Sequence, residues 1–178
     1  MEDRVLMNLL NILEPDQLFC HVNSGSKKRT LQYIAQTITR KHTELSADEL
    51  FEQLVLREKL GNTGLGNGFA LPHCRLSGCT RPLALFLQLD NPVDFDTEDN
   101  QLIDLVFSLV VPENCADLHL QLLRQTVSLF DRKEVCHALR CTDSSASLYR
   151  IFSHHLQQNG NTTVANTSTA PNRDTRKI

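Results

Sequence analysis

The 178-residue chain is 40% hydrophobic and 22% charged, with a formal net charge of −3, the balance of a globular domain that can bury its own core. Net negative charge argues against a general electrostatic grip on nucleic acid, and the local basic spot Lys27-Lys28-Arg29 does not change that. No stretch approaches the roughly 20 apolar residues of a membrane helix. The start, Met1-Glu2-Asp3-Arg4, is also too charged for a signal peptide, so a cytoplasmic protein without membrane insertion and with reduced cysteines is expected.

In chain order, Leu31, Ile34, Ala35 and Ile38 stand at helical spacing and predict a helix over 30–40. A second helix is predicted over 47–59, with Ser46 and Glu49 as a capping box and Leu50, Phe51, Leu54 and Val55 facing the core. Phe69-Ala70-Leu71 is a short apolar run suited to a strand. Leu83, Leu85, Leu87 and Leu89 alternate as in a strand. Residues 102–110 are apolar on both faces except for Asp104 and Ser108, as in a central strand covered on both sides. Leu118, Leu122, Leu123, Val127 and Phe130 predict a helix over 117–130. Asp131 and Glu134 suggest a further capped helix to about Arg140, and 143–156 is read as a last helix. Helices precede, interrupt and follow the strands, which predicts a single-domain α/β sandwich with a central mixed sheet flanked by helices. That domain spans 1–157, and the Asn-, Thr- and Ser-rich remainder, 158–178, is read as a disordered polar tail.

The chemistry-bearing stretch runs from Gly61 to Arg75, GNTGLGNGFALPHCR. It holds four of the chain's seven glycines in eight positions, a density that implies sharp turns or close approach of another group. A P-loop would need Lys and then Ser or Thr after Gly66, where Asn67-Gly68 stand. A dinucleotide fingerprint would need glycine at Phe69 and a preceding strand, and the preceding segment reads as helix. Pro72 biases Leu71 toward extended backbone and stiffens the approach to His73. His73 is thus expected to leave a strand end, exposed beside a glycine-rich surface, with Leu65 and Phe69 as an apolar docking rim.

This stretch resembles the active-site signature of the fructose/mannitol-type enzyme IIA domains of the phosphoenolpyruvate-dependent phosphotransferase system, in particular their nitrogen-regulatory branch. The resemblance runs from about Leu9 to Phe152. It takes in Ser26-Lys-Lys-Arg-Thr30, Leu56-Arg-Glu-Lys-Leu60, Arg81-Pro82, Pro92-Val-Asp-Phe-Asp96, Asp104-Leu-Val-Phe107 and His119-Leu-Gln-Leu-Leu123. It implies that His73 accepts a phosphoryl group on Nε2, with Nδ1 held by a hydrogen bond, and that Arg57 and His119 lie at the same site. The sequence departs from the family pattern after the acceptor, with Cys74-Arg75 where relatives commonly carry Gly-Lys.

These residue types suit that chemistry. A neutral imidazole offers a lone pair to phosphorus. Phosphoryl transfer demands mainly positioning and neutralisation of the equatorial oxygens, for which Arg57 supplies a permanent charge and a donor fork. His119, near the positive end of a helix, is expected to stay neutral. Thr63 is read as a hydroxyl donor to the phosphoryl group, and Gly64, Gly66, Gly68 and Arg75 complete the loop offered to phosphate and partner. The resemblance implies a phosphotransferase component fed by an HPr-like histidine phosphocarrier. It implies control of regulatory target proteins, potassium-transport regulators among them, through the phosphorylation state of His73. Three alternatives remain beside it: a sugar-uptake enzyme IIA passing phosphate to a IIB domain, an interaction module whose histidine is never phosphorylated, and a zinc site from Cys74, Cys79, Cys115 and His119. The last has spacings, Cys-x4-Cys and Cys-x3-His, that fit zinc modules poorly, and no metal or cofactor is expected.

Overall fold

A computed structural model describes residues 7–161, with side chains through 158. Two 3-10 turns, Leu9–Asn11 and Pro15–Gln17, lead into strand β1 (Leu18–Val22). Helices α1 (Lys27–Lys41) and α2 (Ala47–Leu60) follow, then the short strands β2 (Gly64–Gly66), β3 (Phe69–Ala70) and β4 (His73–Leu76). Long strands β5 (Leu83–Val93) and β6 (Ile103–Pro112) precede α3 (Ala116–Phe130), α4 (Lys133–Arg140) and α5 (Ser145–Asn161).

The described strands form one six-stranded mixed sheet in the order β1-β5-β6-β3-β2, with β4 beside β6 as well. The β5–β6 pair is antiparallel, whereas β1 runs parallel to β5, and β3 and β4 run parallel to β6. Period-two alternation splits the core into two layers. Leu83, Leu85, Leu87 and Leu89 face Ile34, Ile38, Leu50 and Leu54 of α1 and α2. Phe86, Phe107 and Leu109 face Leu122, Phe130, Leu139 and Phe152 of α3, α4 and α5. The fold class is therefore the mixed α/β sandwich expected, with helices on both faces. Among the described residues no helix is long and apolar enough to cross a membrane.

Several local expectations are corrected. Helix α1 starts at Lys27, three residues early, because the Ser26 side chain accepts from the Arg29 amide. Ser46 accepts from the Glu49 amide at 3.3 Å, the hydroxyl half of the expected capping box. Asp131 closes α3 rather than capping α4, whose N-cap, Arg132, makes no side-chain capping bond. The last helix starts at Ser145 and runs to Asn161, so 158–161 continue it; the rest of the expected tail lies outside the described residues. Phe69 is 2% exposed and stacks on Phe130 at 3.9 Å between centroids, so it belongs to the core and not to a docking rim. The stacked pair adds to the burial energy of both rings.

Candidate phosphoryl-acceptor site

Two features of the backbone deliver His73. Asn67 and Gly68 both have positive φ, 53° and 72°, which makes the tight turn that folds β2 back onto β3. The Gly68 carbonyl then receives the amides of both Asp104 and Leu105 at 3.0 Å, seating the hairpin on the start of β6. From there the chain runs parallel to β6, and Leu109 donates its amide to the Pro72 carbonyl at 3.2 Å. His73 therefore opens β4, in register with Leu109, and does not simply leave a strand end. It is 8% exposed, far from the exposed imidazole expected.

Both ring nitrogens of His73 are engaged. Nδ1 lies 2.7 Å from the Leu71 carbonyl oxygen, which can only accept, so Nδ1 carries the proton. Arg57 donates its Nε–H to Nε2 at 2.9 Å, so Nε2 holds a lone pair. Arg57 also donates Nη1–H to the Gly61 carbonyl at 2.8 Å, which anchors the guanidinium to the end of its own helix. His119, in the first turn of α3, meets His73 edge to face with ring centroids 5.2 Å apart. Its Nε2 is buried without a hydrogen-bond partner.

Electrostatics keep both rings neutral. Burial lowers the pKa of His73, and the Arg57 charge pushes the same way against the Leu71 hydrogen bond. Burial lowers His119 to about 4, helped by His73, Arg75 and Arg57. In the unfolded chain both would titrate near the ordinary 6.5. As pH falls below 6.5, the unfolded state takes up these protons first, so the native state loses stability toward about pH 4. The melting temperature is accordingly expected to drop between pH 7 and pH 5, and to drop less in a His73→Gln, His119→Gln double variant; a scanning calorimeter reads the difference.

The remaining candidates are placed differently. Arg75 is exposed and close enough to act on the charge of His119. Thr63 is 2% exposed, and its hydroxyl donates to Glu58 Oε2 at 2.5 Å, so it is committed away from any phosphoryl group. Two of the loop glycines permit close packing, Gly64 against the segment before β6 and Gly68 against β6 and α4. A Cβ on Gly64 would meet Thr97 Cγ2 at 2.3 Å, and one on Gly68 would meet Arg140 Nη2 at 2.6 Å and Asp104 Oδ1 at 2.8 Å. Among the described residues no three His, Cys, Asp or Glu side chains are grouped to hold a metal ion, so Cys74, Cys79, Cys115 and His119 do not assemble a zinc site. Burial also pushes the Cys74 thiol up to about 12, away from the thiolate a metal would need.

One buried residue of this region escaped sequence reasoning. Glu58, whose side chain is 7% exposed, lies next to Arg57 in a segment of alternating charge that reads as an ordinary solvated helix end. The Asn67-Gly68 dipeptide, a hairpin signal flanked by apolar residues, was the available clue that the glycine run folds back on itself.

Comparison with known proteins places this chain in a family. The profile of the family described as phosphoenolpyruvate-dependent sugar phosphotransferase system, EIIA 2, matches residues 11–155. A nitrogen regulatory protein of Pseudomonas aeruginosa is 48% identical over 146 residues, covering 82% of this chain and 95% of that one. A nitrogen regulatory protein of Klebsiella oxytoca is 38% identical over 147 residues, covering 82% and 90%. The crystal structure of nitrogen regulatory protein IIA-Ntr from Neisseria meningitidis superposes with a TM-score of 0.76 at 34% identity, covering 80% of this chain and 97% of that one. On these grounds the chain belongs to the EIIA 2 family of the phosphoenolpyruvate-dependent sugar phosphotransferase system.

Proposed function

We propose that this chain is a regulatory phosphocarrier that accepts a phosphoryl group on His73 Nε2 from an HPr-like histidine phosphocarrier and controls partner proteins by its phosphorylation state. The observation that carries this reading is the pair of bonds on one imidazole: Nδ1–H to the Leu71 carbonyl and Arg57 Nε–H to Nε2. Together they present a neutral ring whose only lone pair faces a permanent cation.

In the proposed transfer, Nε2 attacks phosphorus, and the N–P bond of the donor breaks as the new one forms. The donor nitrogen recovers its electron pair, and the proton on His73 Nδ1 stays where it is. The ring gains positive character as the N–P bond forms, so its bond to Leu71 already strengthens on the way to the transition state, which is what catalysis requires. The phosphoryl oxygens would draw on Arg57 and on His119 Nε2, whose missing partner an oxygen would supply. Docking is supported by exposed apolar side chains beside these residues in the chain: Leu56 and Leu60 flank Arg57, Leu65 sits in β2 and Leu120 follows His119. A charge of about −2 appearing among them would recast which proteins bind, the basis of regulation.

The test is incubation with phosphoenolpyruvate and the upstream carriers, read by intact-mass spectrometry. One acid-labile phosphoryl group per chain supports the proposal; none after complete phosphorylation of the donor rejects it.

A further inference from the structure

A closed chain of hydrogen bonds links the acid beside Arg57 to the far nitrogen of His73. Glu58 Oε2 accepts the Thr63 hydroxyl at 2.5 Å, and Oε1 lies 3.4 Å from both the Thr63 amide and Lys27 Nζ. The Thr63 carbonyl accepts the Leu71 amide at 2.9 Å. The Leu71 carbonyl in turn accepts His73 Nδ1–H at 2.7 Å. Lys27 is itself held by the Phe95 carbonyl at 3.2 Å and Asp96 at 2.6 Å.

We propose that Glu58 is a positioning residue that acts through Thr63 and Leu71 to hold the His73 imidazole in its Nδ1–H tautomer. The argument is one of geometry. Arg57 and Glu58 leave the same last turn of α2, so the group on Nε2 and the anchor of the group on Nδ1 share one rigid support. A helix end that slipped against the hairpin would misplace both together, and the Glu58–Thr63 bond blocks that slip. A buried carboxylate is costly unless paired, and Glu58 is held by the amide and hydroxyl of Thr63 on one side and by Lys27 of α1 on the other. A charged acceptor also gives a shorter and stiffer bond to a hydroxyl than a neutral one. With Nδ1 protonated, the lone pair stays on Nε2; the other tautomer would put a proton where phosphorus must bind.

The test uses the full unphosphorylated chain, with imidazole nitrogen-15 shifts reporting the tautomer. In Thr63→Val the ratio of Nδ1–H to Nε2–H forms at His73 is expected to fall roughly fivefold, the effect of weakening one hydrogen bond. Thr63→Ser, which restores the hydroxyl, is expected to return it. Phosphoryl acceptance by Thr63→Val should slow about tenfold at unchanged KM for the donor carrier, as for a slightly misplaced nucleophile. An unaltered tautomer in Thr63→Val, with only its melting temperature lowered, would show a structural staple and overturn the proposal. Should Thr63→Val not fold, Glu58→Ala reads the same link from its other end. Only the transfer rate rests on the function proposed above. The tautomer is read without phosphate, so a chain that never accepts a phosphoryl group would sink that function and leave this inference standing.

Discussion

Replacing His73 with alanine is expected to abolish phosphoryl acceptance altogether while leaving the protein folded. The loss is total because no neighbour can take over. Nε2 of His119 is buried, and to serve a phosphoryl oxygen it must carry the ring proton, so it has no lone pair for phosphorus. The nearby thiol, Cys74, is 5% exposed and pushed up to about 12, so it is neither reachable nor ionised. Folding survives although the ring also partners Arg57 and packs against His119, because neither contact holds the sheet together. The backbone pairing of His73 with Leu109 does not depend on the side chain, and the lost hydrogen bond to Leu71 costs about 1 kcal/mol. His73→Gln, which nearly fills the same volume, should behave identically in transfer and recover part of that stability. Intact mass after exposure to a phosphorylated donor, beside a melting curve, checks both statements. Residual modification of a folded His73→Ala protein would move the acceptor elsewhere.

How legible the molecule is in its sequence depends on the range of the interactions. Helices α1 and α3 carry their own periodicity, each burying one stripe, while β5 and β6 stand out as apolar runs buried on both faces over 83–89 and 105–111. Strand β1 does not. Leu18–Val22 follows a turn and lies in the sheet only because Phe86 and Leu87 of β5, far along the chain, offer parallel partners. Strand β4 is the same case, since His-Cys-Arg-Leu becomes a strand by pairing with residues 109–112 of β6. Parallel pairing needs a long connection and leaves no local signature.

The same reasoning explains the site. His73 stands out behind the glycine loop and Pro72, and Arg57 and His119 only through the family resemblance; the burial of His73 is not legible, since it depends on α3 and β6 closing over a stretch that reads as an open loop. Phe69 shows the cost of local reading. Beside four glycines it resembles surface, yet it forms part of the aromatic layer with Phe130. Thr63 shows it again. Its hydroxyl suits a phosphate by type, and only the fold reveals that Glu58 already holds it.

The second large effect concerns Arg57. Arg57→Met is expected to slow phosphoryl acceptance by about 10²- to 10³-fold, the range for removing one preorganised donor to developing charge. Methionine keeps an apolar stem of similar reach, so packing at the end of α2 changes little and the melting temperature should move by a few degrees at most. In the resting state the guanidinium occupies the very lone pair that must attack, through the 2.9 Å contact to Nε2. Removing it frees the nitrogen, and a purely blocking role would therefore make Arg57→Met faster. The slower rate follows if the cation's larger contribution comes later, when it turns its donors from Nε2 to the oxygens of the incoming group while Gly61 holds its other end. Arg57→Lys separates charge from shape: it retains the cation but lacks the planar fork, and should fall between wild type and methionine. The His73 titration supplies an independent readout. With the Arg57 charge gone, one of the two influences that lower the His73 pKa disappears, and the midpoint should rise toward the ordinary histidine value. A rate that falls without that rise would mean Arg57 acts on the donor protein and not on the ring it touches.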